Sequence, residues 1–391
     1  MTEYSTTATV RELMTEFAGL TGLDPPWARP RRYLWTDAYA VCNYLELFRR
    51  TGDASYRDLA LALVDQVHHT LGRHRDDDPR TGWISGLPEE EGEAHPTWGG
   101  LRIGKPQNER RPGEPFDERL EWDRDGQYYH YLTKWMHALN WVSRVTSDLT
   151  YTRWAIELAQ AAHAAFTYAP SSGGRKRMYW KMSIDLSYPL VPAMGQHDPL
   201  EGFVTYSELQ VTAAGECGGS LQPDLSPEIA DMAGICRGGN PATDDPLGIG
   251  GLLFDAGRIV QLMIEGGFAY TGLLDSVLDA ALVGLAAFAE GGTLRHPPDY
   301  RLAFREIGLS IGLSGVGALV ERVRENPGLF GQQGSVQRRI EALMEYVPLA
   351  DAIERFWMDG RNREAGTWVQ NREINMVMLA TSLAPREFLA I

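Results

Sequence analysis

The chain has 391 residues, 43% of them hydrophobic, so a sizeable core is available and wholesale disorder is excluded. A formal net charge of −15 excludes nucleic acid as a partner, because that binding needs clustered Lys and Arg; the acidity reads as a solubility device. Cys42, Cys217 and Cys236 lack CxxC spacing, which excludes a disulfide framework and a zinc site and predicts a reducing, cytoplasmic compartment.

The N-terminal segment MTEYSTTATVRELMTEFAGL has no basic region ahead of an apolar run, so no secretory signal is expected. No apolar stretch reads as long and charge-free enough to span a bilayer, and no membrane partner is expected. From residue 38 onward, helical periodicity dominates. AYAVCNYLELFRR (38–50) has apolar positions three and four apart; a TGD turn at Thr51–Asp53 and a second amphipathic run follow. FRRTGDASYRDLALALVDQVHHTL aligns without a gap on SRVTSDLTYTRWAIELAQAAHAAF (143–166), sharing a TxD turn and a Tyr at the next helix start. This is an internal repeat of a helix–turn–helix unit. Segment 177–184, RMYWKMSI, is the one candidate for a short strand pair, and two prolines and Gly195 break the pattern in 186–213. Later hairpins pair 250–267 with 273–290 and 301–323 with 336–357, and QNREINMVMLATSLA (370–384) ends the helical series. Connections within hairpins are brief (TGD, TSD, AYTG), whereas those between hairpins are long: 72–125, 167–186, 213–249, 291–300 and 358–369. Antiparallel helices in succession place all the long loops on one face, where function is expected.

Roughly six hairpins with TxD turns and Trp- and acid-rich loops on one face resemble the (α/α)6 toroid of the six-hairpin glycosidase superfamily. The resemblance covers nearly the whole chain and implies an all-α fold, a single domain over 1–391 and a long loop or lid at 72–125. It also implies a carbohydrate substrate in a pocket at the N-terminal ends of the inner helices. N-acylglucosamine 2-epimerases and some polysaccharide lyases share the toroid, so fold leaves the reaction open.

The segments at those helix starts are WTD (35–37), WDRDGQYYHY (122–131), GQHDPLEG (195–202), ATDDPLGIGG (242–251), LRHPPDYRLAFRE (294–306) and WVQNREIN (368–375). Each mixes acids with aromatic or polar groups, as sugar sites do: aromatic faces stack on the ring and carboxylates bind hydroxyls. Asp123, Asp125, His197 and Asp244 are the candidate acid/base residues, since glycoside hydrolysis needs two carboxyl groups flanking the scissile bond. Asp198 and Asp245 each precede a proline, the signature of a helix cap. Together with Asp37, Trp122, Tyr128, His130, Glu306 and Glu373 they are candidate substrate contacts, with Arg295 and His296 as a clamp and Trp35, Trp98, Trp180 and Trp368 as stacking platforms. Gly248, Gly250 and Gly251 follow no strand, so a nucleotide loop is not expected; they serve close helix packing or a ligand's approach. The DDDP run (76–79) reads as a solvated acidic turn, and neither a metal nor a cofactor is expected.

The leading expectation is a glycoside hydrolase. A sugar epimerase or isomerase using histidines such as His130, His197 and His296 is the alternative, followed by a lyase with Tyr128 as base. The non-enzyme alternative is a carbohydrate-binding helical scaffold.

Overall fold

The computed structural model describes residues 3–216, 224–237, 239–266, 270–330 and 334–391. Cys217 and part of the expected 213–249 and 269–272 connections lie outside the described residues. The fold class is all-α, with only two- and three-residue strands. Two compact units are distinguished: a first unit of residues 18–48 and 53–239, and a second of residues 1–17, 49–52 and 240–391.

In the first unit, helices buried around their circumference alternate with helices buried on one face. Leu34 to Leu47 are all buried in the helix Leu34–Thr51, and most of the helix Tyr129–Thr146 is likewise buried, including the polar Thr133, Lys134, His137 and Asn140. The helix Asp198–Glu216 is buried over its first half and more. Between them, Ala54–Leu71 buries Ala60, Leu63, Val64, Val67, His68 and Leu71, an ordinary amphipathic stripe. Thr150–Phe166 and Ser226–Cys236 are of the same one-sided kind.

The TxD repeat has a physical basis. Gly52 (φ 71°) and Ser147 (φ 58°) occupy the same aligned position and both turn the chain through the left-handed region. The next residues, Asp53 and Asp148, accept from the backbone N–H of Ser55 (3.0 Å) and Thr150 (2.9 Å), which starts the following helix.

The long 72–125 connection is bolted down from within. Asp125 is fully buried and accepts from Arg102 Nη1 (2.6 Å), Arg75 Nη1 (3.3 Å), Gly104 N (3.0 Å) and Gly126 N (3.1 Å). Arg102 also donates to the carbonyls of Thr70 and Arg73, tying the connection to the end of the preceding helix. The DDDP run is an arginine clasp: Asp77 pairs with Arg75 and Asp78 with Arg80. Buried Gln127 spans three strands of chain, donating to Gly99 O (3.0 Å) and Ile184 O (2.7 Å) and accepting from Leu101 N (2.9 Å). The RMYWKMSI segment forms two strands: Arg177–Met178 pairs with Thr167–Tyr168, and Lys181–Met182 lies between Gln127–Tyr128 and Pro189–Val191, with Tyr128 opposite Lys181.

The second unit is built around Pro246–Gly266, Ala303–Ser314 and Arg372–Leu383. A Cβ on Gly250 would meet Gly308 O at 2.0 Å, and one on Gly312 would meet Gly250 O at 2.6 Å. These glycines therefore let two helix backbones touch, as close packing requires. One expectation needs correction. Helical segments Pro246–Gly266, Thr271–Arg295 and Ala303–Glu325 are long and apolar enough, by length and composition, to cross a membrane. Most of the apolar window is buried in Pro246–Gly266 and Ala303–Glu325, where Gly, Ala and Leu make helix–helix contacts, whereas in Thr271–Arg295 less than half of it is.

Two outcomes follow. Asp125→Ala leaves Arg102 without its carboxylate in a buried setting and should destabilise the protein by about 3–5 kcal/mol in denaturant unfolding. His68, buried and accepting from Trp135 Nε1 (3.2 Å), has its pKa pushed by burial down to about 3. Its unfolded form therefore binds the extra proton between about pH 6.5 and 3, and stability should fall as pH falls through that window. His68→Gln, which can still accept from Trp135, should flatten this part of the stability–pH profile.

Candidate functional site

The N-terminal ends of the three all-round-buried helices of the first unit meet in one aromatic cluster. Trp35 comes from the first of them, Tyr128, His130 and Tyr131 from the second, and Asp198 from the third. The rings of Trp35 and His130 are 5.9 Å apart and those of Trp35 and Tyr131 5.3 Å. Tyr128 stacks on His130 at 5.4 Å, and Trp180 lies parallel to His130 at 6.4 Å with an interplanar angle of 11°. The strand pairing that places Lys181 opposite Tyr128 delivers Trp180 to this position. Tyr33 closes one side through a 2.6 Å hydrogen bond between its hydroxyl and that of Tyr131. Outward, Trp122 packs edge-on against Trp180 at 5.8 Å and is itself half exposed.

Among the described residues, three buried polar atoms in this cluster have no hydrogen-bond partner: Trp35 Nε1, His130 Nδ1 and Asp198 Oδ2. His130 Nδ1 stands 3.6 Å from Asp198 Oδ1, in ionic range but beyond hydrogen-bond length. Asp198 begins its helix with Pro199 behind it and its carboxyl tucked under Gly195, where an added Cβ would meet Oδ2 at 2.3 Å. One helical turn further in, the polar groups are satisfied. Glu201 accepts from Lys134 Nζ (2.9 Å) and Thr133 Oγ1 (2.9 Å). Deeper still, His137 Nδ1 lies 3.0 Å from both Glu208 oxygens, and Asn140 donates to Glu208 (2.8 Å) and Thr212 (3.1 Å).

The electrostatics separate the two outermost groups. Burial pushes His130 down to about 4; Glu201 opposes this, while Lys134 and His197 add to it. Burial, reinforced by Glu201, raises Asp198 well above the carboxylate range, with Lys134 and the Gly195 N–H pulling the other way. Glu201 is driven up by its own burial, but Lys134, His130 and the Thr133 hydroxyl bring it below its usual value. The arrangement sets an imidazole whose burial disfavours its protonated form against a carboxyl whose burial disfavours its ionised form, beside the Glu201–Lys134 pair. Such a pair of environments, one favouring a base and the other an acid, is how a single site assigns proton-transfer roles.

The predicted site residues divide sharply. Trp35, Trp122, Tyr128, His130 and Asp198 come together, and His197, half-buried beside Asp198, acts on His130 through its charge. Asp125 is the structural clasp described above, and Asp123 is exposed at the end of the short helix Glu118–Asp123. Asp37 is buried, accepts from Tyr33 N (2.8 Å) and pairs with Arg32 (3.3 Å); burial lifts it to about 6 against the pull of Arg32. Trp98 is exposed and leans on His95 at 5.1 Å. The remaining candidates belong to the second unit. Asp245 is a helix cap, accepting from Gly248 N (3.2 Å) and pairing with Arg305 (2.7 Å), while Asp244, Arg295 and His296 are exposed. Glu306 is held by Arg301 (2.6 and 2.8 Å) and Trp357 Nε1 (2.9 Å), Trp368 is buried against Trp357, and Glu373 is half-buried.

Sequence reasoning missed Lys134 and Glu201, and also Tyr33 and Tyr131. The available signal was the stripe His130, Thr133, Lys134, His137 and Asn140, spaced three and four apart on one helical face. Among the described residues, no group of three or more His, Cys, Asp or Glu side chains is placed to hold a metal ion.

No family model matches the chain, and no curated protein matches its sequence. Its structure is similar to that of a cellobiose 2-epimerase from Spirochaeta thermophila, at 12% identity and a TM-score of 0.47, over 95% of this chain and 97% of that one. A cellobiose 2-epimerase from Bacillus thermoamylovorans matches at 9% identity and a TM-score of 0.44, over 81% of this chain and 76% of that one. A sugar epimerase from a ruminal bacterium matches at 10% identity and a TM-score of 0.43, over 81% and 75%.

The Lys134–Glu201 pair offers a test of the site's construction. Lys134→Met alone strands a buried carboxylate and should cost about 3–5 kcal/mol, whereas Lys134→Met with Glu201→Leu should recover most of that loss. A double-mutant cycle in urea measures the difference; additive losses would show that the two groups do not act as a pair.

Proposed function

We propose that this protein is a carbohydrate-active enzyme that moves a proton at the carbon next to a sugar's carbonyl, as an epimerase or aldose–ketose isomerase does. The observation that carries the reading is the facing of His130 and Asp198. Each holds an unpartnered buried atom, and their environments favour a base and an acid respectively. A sugar lying against the aromatic cluster of Trp35, Tyr128 and Trp180 would stack its C–H face on aromatic rings. Trp35 Nε1 is a buried donor that a sugar oxygen would satisfy.

In the proposed cycle, His130 takes the proton from C2 of the open-chain aldose while Asp198 gives its proton to the C1 carbonyl oxygen. The product of this step is a neutral enediol, with the imidazolium and the carboxylate as the paired charges. Asp198 then recovers a hydroxyl proton as His130 returns one to carbon. If the enediol turns over beneath His130, return to the opposite face of C2 gives the epimer; return to C1, with the proton lost from O2, gives the ketose. Atoms and charge balance in both directions, and no external oxidant is needed.

The hydrolase reading has less support. It requires one carboxylate and one carboxylic acid on opposite sides of a glycosidic bond. Asp125 is saturated by two arginines and two backbone N–H groups, Asp123 is exposed, and Glu201 is committed to Lys134 and Thr133. Asp198 is therefore left without a free carboxylate partner in this cluster.

The test is NMR of aldoses and reducing disaccharides incubated with the protein in deuterium oxide. Deuterium should appear at C2 of a substrate. His130→Ala and Asp198→Asn should each lower kcat by about 10²–10⁴-fold. In wild type, kcat/KM should fall as pH drops through about 4, because protonated His130 can no longer accept a proton. Hydrolysis of an aryl glycoside without exchange at C2 would reject the proposal.

A further inference from the structure

Lys105 is held at the edge of the aromatic cluster by a backbone that cannot drift. Gly104, in the left-handed region at φ 92°, donates to Asp125 Oδ1 (3.0 Å), and a Cβ there would meet Arg32 O at 2.2 Å. The carbonyls of Lys105 and Pro106 accept from Arg75 at 2.6 and 2.8 Å. From this anchored segment the half-buried Lys105 side chain carries its ammonium to 5.4 Å from the centre of the Tyr33 ring, the ring whose hydroxyl bonds Tyr131. Among the described residues no carboxylate lies within ion-pair distance of Lys105 Nζ.

The carboxylates nearby are engaged elsewhere. Glu121 binds Lys181 (2.9 Å) and Arg110 (3.1 Å), Asp125 binds Arg102 and Arg75, and Asp77 binds Arg75. Exposed Asp123 and buried Asp125 are both near enough to act on the charge of Lys105, but neither makes an ion pair with it. Lys181 lies close enough to oppose the charge of Lys105, with its own ammonium 5.4 Å from the centre of the Tyr128 ring. A partly desolvated ammonium without a counter-ion is costly unless a ligand supplies one.

We propose that the site takes a sugar bearing an anionic substituent, a carboxylate or a phosphate, and that Lys105 binds that group. The proposal rests on the sugar-site reading above and adds the charge of the substrate to it. A charge-assisted hydrogen bond from Lys105 would place the substituent at the Tyr33 edge, with the rest of the sugar over Tyr128 toward His130.

Binding is the appropriate readout, because it needs no turnover. Isothermal titration calorimetry with D-glucuronate, D-glucose 6-phosphate, D-glucose and inorganic phosphate should show at least one charged sugar binding about 10- to 100-fold more tightly than D-glucose. The better of the two charged sugars identifies carboxylate or phosphate. Lys105→Gln should erase that advantage and Lys105→Arg should keep most of it, with added salt weakening the wild-type binding. D-glucose binding as tightly as both charged sugars, no charged sugar binding at millimolar concentration, or an advantage that survives Lys105→Gln would overturn the proposal. Inorganic phosphate binding as tightly as the sugar phosphate would overturn it too, since that is an anion site without sugar recognition. Charged-sugar binding through Lys105 with no deuterium exchange at C2 would leave this inference standing and remove the proton-transfer reading instead.

Discussion

The buried seam between the helices Tyr129–Thr146 and Asp198–Glu216 is the constraint on which the candidate site depends. Lys134 meets Glu201 and His137 meets Glu208, each within hydrogen-bond distance and almost without solvent. A buried ion pair contributes little net stability, because desolvation offsets its attraction, yet it penalises every arrangement that separates the partners. Sliding one helix by a turn would leave a lysine and two glutamates buried and unpaired. The seam thereby fixes the register of the two helices. It also brings His130 and Asp198, one turn nearer the helix starts, to face each other at the end of the same seam.

That outermost pair differs from those behind it in being incomplete. Glu201 and Glu208 have their acceptor capacity filled by Lys134, Thr133, His137 and Asn140, whereas His130 Nδ1, Asp198 Oδ2 and Trp35 Nε1 have none. An unpartnered buried polar group costs about 1–3 kcal/mol. Three of them are gathered in one aromatic cluster, which is what the proposed sugar site would need. The walls are correspondingly stiff. Gln127, Asp125 and Arg102 bind the 72–125 connection at several points, so Tyr128 and Trp180 are presented from a braced sheet instead of a loose loop.

Much of the architecture was legible from residues alone because it follows from local rules. The TxD repeat encodes a left-handed residue followed by an Asp cap, and both copies form that turn. Asp245 caps its helix as the Asp-Pro pair indicates, and Gly250 packs backbone to backbone. The site was legible in part. Trp35, Tyr128, His130 and Asp198 were picked out because they sit at helix starts after long connections. Asp123 and Asp125 were picked out on the same ground, but one is exposed and the other is spent on arginines that lie 23 and 50 residues away in the chain. A carboxylate in sequence does not announce its partner. The apolar helices of the second unit show the same ambiguity, since composition alone does not distinguish a lipid-facing surface from one packed on another helix.

By itself, the sequence determined the all-α class, the hairpin repeat, the caps and turns, and which segments enter the buried helices. Each of these depends on residues within a few positions of one another. Only the tertiary structure decided that Lys134, His137 and Asn140 form a buried seam and not a solvated face, and that His130 meets Asp198 across 68 residues of chain. The periodicity of a polar stripe is the same whether it faces water or a complementary stripe on another helix. The choice rests on long-range charge pairing that spacing along one helix does not encode.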